Sequence, residues 1–276
     1  MRAIDIEMYI NQSSIPRPVA KPLVDLQETK VEQGDDGFSL DIKPIDTAKN
    51  KIKQRTLMEN NIIPRHPSSV IFNGSSGSGK SILLLNMLTR PEFFSDYFDI
   101  IHLFSPTGGS DDLFRVLNLP PEQIHIDMDE NQLSDILEEQ RTKIETDGVD
   151  NAKKMLVIYE DVQGNARFMR SGAFLRSFIA NRHYGISTWL CGQSWTRTPK
   201  ACRLQANNIF YFAGAGSEDE LMAQEYCPPG MRKKDFIALL RQGTREKYNF
   251  VHINKRVPHA ERYRRNLDTV INWDRA

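Results

Sequence analysis

Hydrophobic and polar positions alternate in blocks along this chain, and the blocks change period in a regular order from about residue 68 onward. Ser69 to Asn73 is a short β-prone run, Gly74 to Gly79 a glycine and serine loop, and Ser81 to Leu88 an apolar helix stopped by Arg90 and Pro91. Asp99 to Phe104 predicts a second strand that ends in the turn-rich loop Ser105-Pro106-Thr107-Gly108-Gly109. Leu133, Ile136, Leu137, Gln140 and Ile144 keep three-and-four spacing, so Glu130 to Thr146 predicts a helix with Asp129 as its cap. Met155 to Tyr159 is a continuous apolar run of the kind that parallel strands buried on both faces show. Phe174, Leu175, Phe178 and Ile179 mark a helical face, and Ile186 to Leu190 and Asn208 to Phe212 supply two more strands. Tyr248 to Ile253 predicts a late strand and His259 to Trp273 a basic terminal helix.

Strands alternating with helices predict an α/β fold with a mainly parallel central sheet covered on both faces, and ligands outside its carboxyl edge. Residues 61–256 hold this pattern. Residues 1–60 mix Pro16, Pro18 and Pro22 with charges and scattered apolar positions, which predicts an arm, partly disordered or used for docking. Residues 257–276 are expected to form a basic tail. There is no internal repeat and no low-complexity tract.

Composition narrows the partners only locally. Lys and Arg balance Asp and Glu over the whole chain, but residues 182–276 carry sixteen Lys and Arg against nine Asp and Glu, an excess of seven. A solvated face or a contact with phosphate backbones explains such an excess, and Arg232, Lys233, Lys234, Arg262, Arg264 and Arg265 are the candidates for the second. The three cysteines, Cys191, Cys202 and Cys227, lack CxxC spacing, and no HExxH or Cys/His set exists, which argues against a disulfide framework and a zinc site. Met1 to Ile10 contains acids where a signal peptide has its apolar core, and no apolar run is long enough to cross a bilayer. The expectation is a protein that is not secreted and has no stable membrane insertion.

Gly74-Ser75-Ser76-Gly77-Ser78-Gly79-Lys80-Ser81 satisfies G-x-x-x-x-G-K-[ST] between a strand and a helix, the context that gives the motif meaning. Small residues let the backbone bend around a phosphate with its N–H groups inward, and the helix N-terminus adds positive potential. Lys80 is expected on the β and γ phosphates of ATP and the Ser81 hydroxyl on Mg²⁺. Leu156 to Asp161 delivers two adjacent carboxylates to the same edge. By position Glu160 takes the metal place, directly or through water, and Asp161 the place that polarises the attacking water. Thr188 to Gln193 is an apolar strand ending in an amide suited to hydrogen-bond the γ-phosphate or the lytic water. Arg182 and Arg203, on loops flanking this strand and its successor, are both candidates for an arginine finger serving a neighbouring copy. His183 is expected to buttress its loop, and Trp189 and Trp195 to pack in the core.

Taken in order, Asn73 to Ser81, Ile158-Tyr159-Glu160-Asp161-Val162, Asn181-Arg182-His183-Tyr184-Gly185-Ile186-Ser187, Gly192-Gln193-Ser194 with Pro199, and Arg203 followed by Asn207 resemble the poxvirus-type genome-packaging ATPases of large DNA viruses and virophages. These belong to the FtsK-HerA group of P-loop DNA translocases. The likeness covers roughly Ile63 to Ile253. It departs from the usual pattern in having Glu160 where the family usually has Asp, no Gly before the Arg-His pair, and a longer step from Arg203 to Asn207. The resemblance implies a RecA-like fold of the additional-strand type with a short C-terminal β/α appendage. It also implies a ring of five or six subunits threading duplex DNA, docking on capsid vertex proteins, and residence at host-cytoplasmic assembly sites and in the virion. A cellular or mobile-element DNA pump shares all these motifs. A small-molecule kinase also combines a phosphate loop with an α/β sheet, and a nucleotide-binding assembly factor would bind ATP without turnover.

Overall fold

The computed structural model describes residues 27–30, 56–108, 112–148, 152–214 and 216–273. Most of the arm expected at 1–60 lies outside these residues, as does Gly109 of the turn after the second predicted strand. The chain runs β1 (Gln27–Lys30), α1 (Thr56–Glu59), β2 (Ser69–Asn73), α2 (Lys80–Thr89), β3 (Ile100–Phe104), β4 (Ile124–His125), α3 (Glu130–Asp147), β5 (Met155–Glu160), α4 (Ala166–Met169) and α5 (Gly172–Ile179). It continues with β6 (Ile186–Gly192), α6 (Lys200–Gln205), β7 (Asn208–Phe212), α7 (Gly216–Tyr226), α8 (Lys233–Gly243), β8 (Phe250–Asn254), β9 (Tyr263–Arg265) and β10 (Thr269–Asn272).

Among the described residues the strands form one sheet in the order β1-β10-β9-β8-β7-β2-β6-β5-β3-β4. From β7 to β4 the pairs are parallel, and from β1 to β7 they are antiparallel. β6 lies between β2 and β5, which is the additional strand that the resemblance implies. The parallel strands are apolar on both sides because both faces are covered. Val70, Phe72, Leu156 and Ile158 pack with α2 residues Leu84 and Met87 on one face. Ile71, Val157 and Tyr159 pack with Leu133, Phe174 and Leu239 on the other. Local signals set the helix ends. The Asp129 side chain accepts from Asn131 N at 2.8 Å to cap α3, and Ser171 Oγ accepts from Phe174 N at 3.2 Å to cap α5.

The C-terminal part differs from the expected helix at His259 to Trp273. It is a 3-10 turn at His259–Glu261 followed by a hairpin, β9 and β10, that pairs onto β8 and extends the same sheet. Tyr263, Leu267 and Ile271 are all buried and sit four residues apart, which imitates a helical face. Asn266, with φ of 55°, makes the turn, and the β-branched run Thr269-Val270-Ile271 favours a strand. β1 adds antiparallel to β10, with Gln27 opposite Asn272.

The hairpin geometry makes a prediction. Ile271→Asp buries a charge between β10 and its neighbours and should destabilise the protein by about 3 kcal/mol. Val270→Asp, on the half-exposed face, should cost less than half of that. Equal losses for the two in thermal melts would contradict the strand assignment.

Candidate nucleotide site

The carboxyl ends of the parallel strands bring the expected phosphate loop, paired acids and strand-end amide to one edge. The loop leaves β2 at Asn73 and enters α2 at Lys80. Gly79 turns it with φ of 103°, a conformation open to glycine and strained for other residues. Gly74 is required for a different reason: a Cβ there would stand 2.5 Å from Phe212 Cβ, so only a bare backbone passes β7. Lys80 is 7% exposed and its Nζ donates to Ser75 O at 2.9 Å across the loop. Burial pulls its pKa below the ordinary lysine value, against the pull of Cys191, Glu160 and Asp161.

Ser81 Oγ donates to Glu160 Oε1 at 2.8 Å. The other carboxylate oxygen, Oε2, is buried without a hydrogen-bond partner. Burial raises the Glu160 pKa, while the Cys191 thiol, the Ser81 hydroxyl and the Lys80 charge oppose the rise. Cys191 is opposite Glu160 in the β5–β6 register, and its own thiol is pushed well up by burial and then by that carboxylate. Asp161 follows at once, exposed and left-handed with φ of 53°, and its Oδ1 accepts from Gln193 Nε2 at 2.9 Å. Ser81 thus meets Glu160, and Gln193 meets Asp161.

The two arginines part company. Arg203 is buried against Glu225, Nη2 to Oε1 at 2.9 Å, and its Nη1 donates to Trp195 O at 3.0 Å. Trp195 Nε1 donates to the same carboxylate, and Tyr226 OH to Arg203 O. The finger role expected for Arg203 does not fit a guanidinium spent inside its own subunit. Arg182 is exposed in the turn before β6, at the amino edge of the sheet. The seven residues of β6 separate it from Gly192, roughly 20 Å at strand rise, so it does not reach its own phosphate loop. Arg264, a candidate phosphate contact, is also buried and donates to Asn61 O at 3.2 Å, whereas Arg232, Lys233 and Lys234 are exposed at the start of α8. Trp189 and Trp195 are fully buried packing residues.

Two side chains absent from the sequence reading hold the site together. Gln163 Oε1 accepts from Gln193 N at 2.7 Å and Ser194 N at 2.9 Å, and its Nε2 donates to Ser194 O at 2.7 Å and Thr198 Oγ1 at 2.9 Å. Glu218, buried in the first turn of α7, accepts from Ser194 Oγ at 2.8 Å and Trp195 N at 2.9 Å, with Asn73 Nδ2 at 3.5 Å from its second oxygen. Neither has a periodic signal, because each acts on a segment more than twenty residues away. Among the described residues no group of three or more His, Cys, Asp or Glu forms a metal site on its own, and no helix is long and apolar enough to cross a membrane.

The fold and this edge define a P-loop ATPase, with its phosphate loop and acids arranged for a nucleoside triphosphate. Residues 56–271 match the family described as Poxvirus A32 protein, and the chain belongs to that family. No curated protein matches it. Among solved structures, the genome packaging NTPase B204 from Sulfolobus turreted icosahedral virus 2 in complex with AMP matches at a TM-score of 0.50 and 12% identity. That match covers 74% of this chain and 96% of B204. EssC (ATPases 2 and 3) from Geobacillus thermodenitrificans matches at 0.47 and 8%, over 75% of this chain and 39% of that one.

The buried charge of Glu160 makes a prediction. Its raised pKa means that the folded state holds this proton more tightly than the unfolded chain, so the stabilisation is full below the ordinary glutamate range and is lost as pH rises. Glu160→Gln keeps an acceptor for Ser81 and removes the charge. The variant should melt a few degrees above the wild type at pH 7, with the gap closing toward pH 4. A variant that melts below the wild type at pH 7 would show that the charge is satisfied within the chain.

Proposed function

We propose that this chain is an ATP-driven motor that moves double-stranded DNA into a preformed viral capsid, acting as a ring of identical copies at sites of virus assembly. The observation that carries the enzymatic half is the pairing of contacts at the carboxyl edge: Ser81 with Glu160, and Gln193 with Asp161. A kinase needs an acceptor pocket, whereas two adjacent acids with an amide beside them suit the activation of water. In this reading Lys80 turns from Ser75 O to the β and γ phosphates, and the N–H groups of 74–81 wrap them. Asp161 accepts the proton of the attacking water, and Gln193 orients it. Ser81 and Glu160 would hold Mg²⁺: they already touch, and Glu160 Oε2 is a buried acceptor without a hydrogen-bond partner. The ion would supply charge neutralisation on the phosphate oxygens.

The position of Arg182 supports the ring. It lies at the edge opposite the phosphate loop, so any part it takes in hydrolysis falls at a neighbour's site. Arg65 and Arg256 stand with it: Arg256 donates to Arg65 O and Pro67 O, and its pKa is lowered by burial and then by Arg182 and Arg65. Membership of the family and the motif order support DNA and a capsid vertex as partners. Arg232, Lys233 and Lys234 are the exposed candidates for the DNA backbone.

The test is ATP turnover with and without long duplex DNA, with mass in solution measured in the presence of nucleotide. Stimulation together with ring formation is expected, and a monomer indifferent to DNA would sink the motor. Lys80→Ala should abolish turnover, while Arg182→Ala should keep nucleotide binding near normal and stop hydrolysis. Mixing the two variants should restore some sites, and no recovery at any ratio counts against a finger acting between copies. Duplex affinity should fall steeply with salt, and a flat response would remove the α8 basic residues as the DNA surface.

A further inference from the structure

Tyr248 is an aromatic residue at the phosphate loop to which the phosphate chemistry assigns no task. It stands in the turn between α8 and β8 with φ of 71°, a left-handed conformation that is an outlier for a bulky side chain. Hydrogen bonds hold that turn. Asn249 N donates to Glu246 O at 3.1 Å, Asn266 Nδ2 to Asn249 Oδ1 at 3.1 Å, and Phe250 N to Asn266 Oδ1 at 3.2 Å. The result presents a large ring that is 58% exposed. The ring borders the loop itself: a Cβ on Gly79 would meet Tyr248 Cδ1 at 3.3 Å, with Phe212 Cε1 at 3.7 Å. Lys247 Nζ lies 4.8 Å from the ring centroid, so the π surface already attracts a partner.

The sheet order says which end of a nucleotide comes here. Glu160, Asp161 and Gln193 leave the edge from β5 and β6, on one side of β2. Phe250 pairs with Phe212, so the turn that carries Tyr248 reaches the same edge from β7 and β8, on the other side of β2. A triphosphate with its γ end at the acids therefore runs its α end, sugar and base toward Tyr248.

We propose that Tyr248 is the platform on which the base of the bound nucleotide stacks, and that the site prefers purine nucleoside triphosphates to pyrimidine ones. This rests on the ATPase reading above and extends it to the base. Stacking on an aromatic ring grows with the area covered and takes no account of the hydrogen-bonding edge, so ATP and GTP should bind alike and CTP and UTP more weakly.

The test is equilibrium binding of ATP, CTP and inorganic tripolyphosphate to the full chain with Mg²⁺, for wild type, Tyr248→Ala and Tyr248→Phe, with a thermal melt of each. Tyr248→Ala should weaken ATP roughly ten- to hundredfold, bring ATP and CTP together, and leave tripolyphosphate within about twofold. Tyr248→Phe should keep the wild-type pattern. Unchanged ATP affinity in Tyr248→Ala would overturn the proposal. So would an equal loss for ATP and tripolyphosphate, which would make the ring a prop for the loop. A wild-type chain that binds neither ligand would instead remove the phosphate-loop reading, and the platform with it.

Discussion

The hydrogen bond from Ser81 to Glu160 joins the first turn of α2, which follows β2, to the end of β5, a strand that is not a neighbour of β2, and the rest of the edge is arranged so that it can form. β6 lies between β2 and β5, and its residue in register with Glu160 is Cys191. Cys191 is small and uncharged, and it shares with Ile158 and Phe72 the face on which α2 packs. A longer side chain there would crowd the contact between Ser81 and Glu160, and an anionic one would repel the carboxylate and compete with it for Lys80. Burial that holds the thiol protonated keeps this position neutral beside Glu160 and Lys80. The additional strand thus adds a strand's width between loop and acid, and its residue at the crossing lets the two ends meet.

Charge is divided between the edges of the sheet. Glu160, Asp161 and Glu218 stand at the carboxyl edge with Lys80, while Arg65, Arg182 and Arg256 gather at the amino edge. The excess of seven basic residues after position 181 is therefore not one basic tail. Arg203 and Arg264 are spent inside the fold, Arg182 and Arg256 lie at the amino edge, and Arg232 to Lys234 lie in the open at α8. In the ring proposed above, the amino-edge arginines of one copy would face the carboxyl edge of the next, the heterologous arrangement that closes when the rotation allows.

How much of this was legible follows from how far each signal reaches. β2, β5, β6 and β7 were readable because burial on both faces makes a strand uniformly apolar over its own length, and the phosphate loop because its glycines are required by the backbone beside them. The β9–β10 hairpin was not, since Tyr263, Leu267 and Ile271 at four-residue spacing fit a helix as well as a turn with buried flanks. Arg203 read as a loop residue because its partner, Glu225, is on a later helix. Gln163 and Glu218 were invisible for the same reason: the groups that they satisfy are brought to them only by the sheet.

Those long-range side chains decide how the site responds as a unit. Asp161 and Tyr248, on either side of the phosphate loop, both hold left-handed backbone without being glycine; the Gln193 amide donates to Asp161 itself, and the Asn266 amide holds Asn249 and Phe250, the two residues after Tyr248. β5 is fixed by pairing on both sides, so Glu160 has little freedom. The segment 193–195 has no strand partner and is held by Gln163 from one side and Glu218 from the other. Gln193 stays tied to the sheet through β6, which ends one residue before it, while Glu218 in the first turn of α7 braces the segment that follows, and Asp219 beside it binds both Tyr211 of β7 at 2.7 Å and Arg241 of α8 at 2.9 Å.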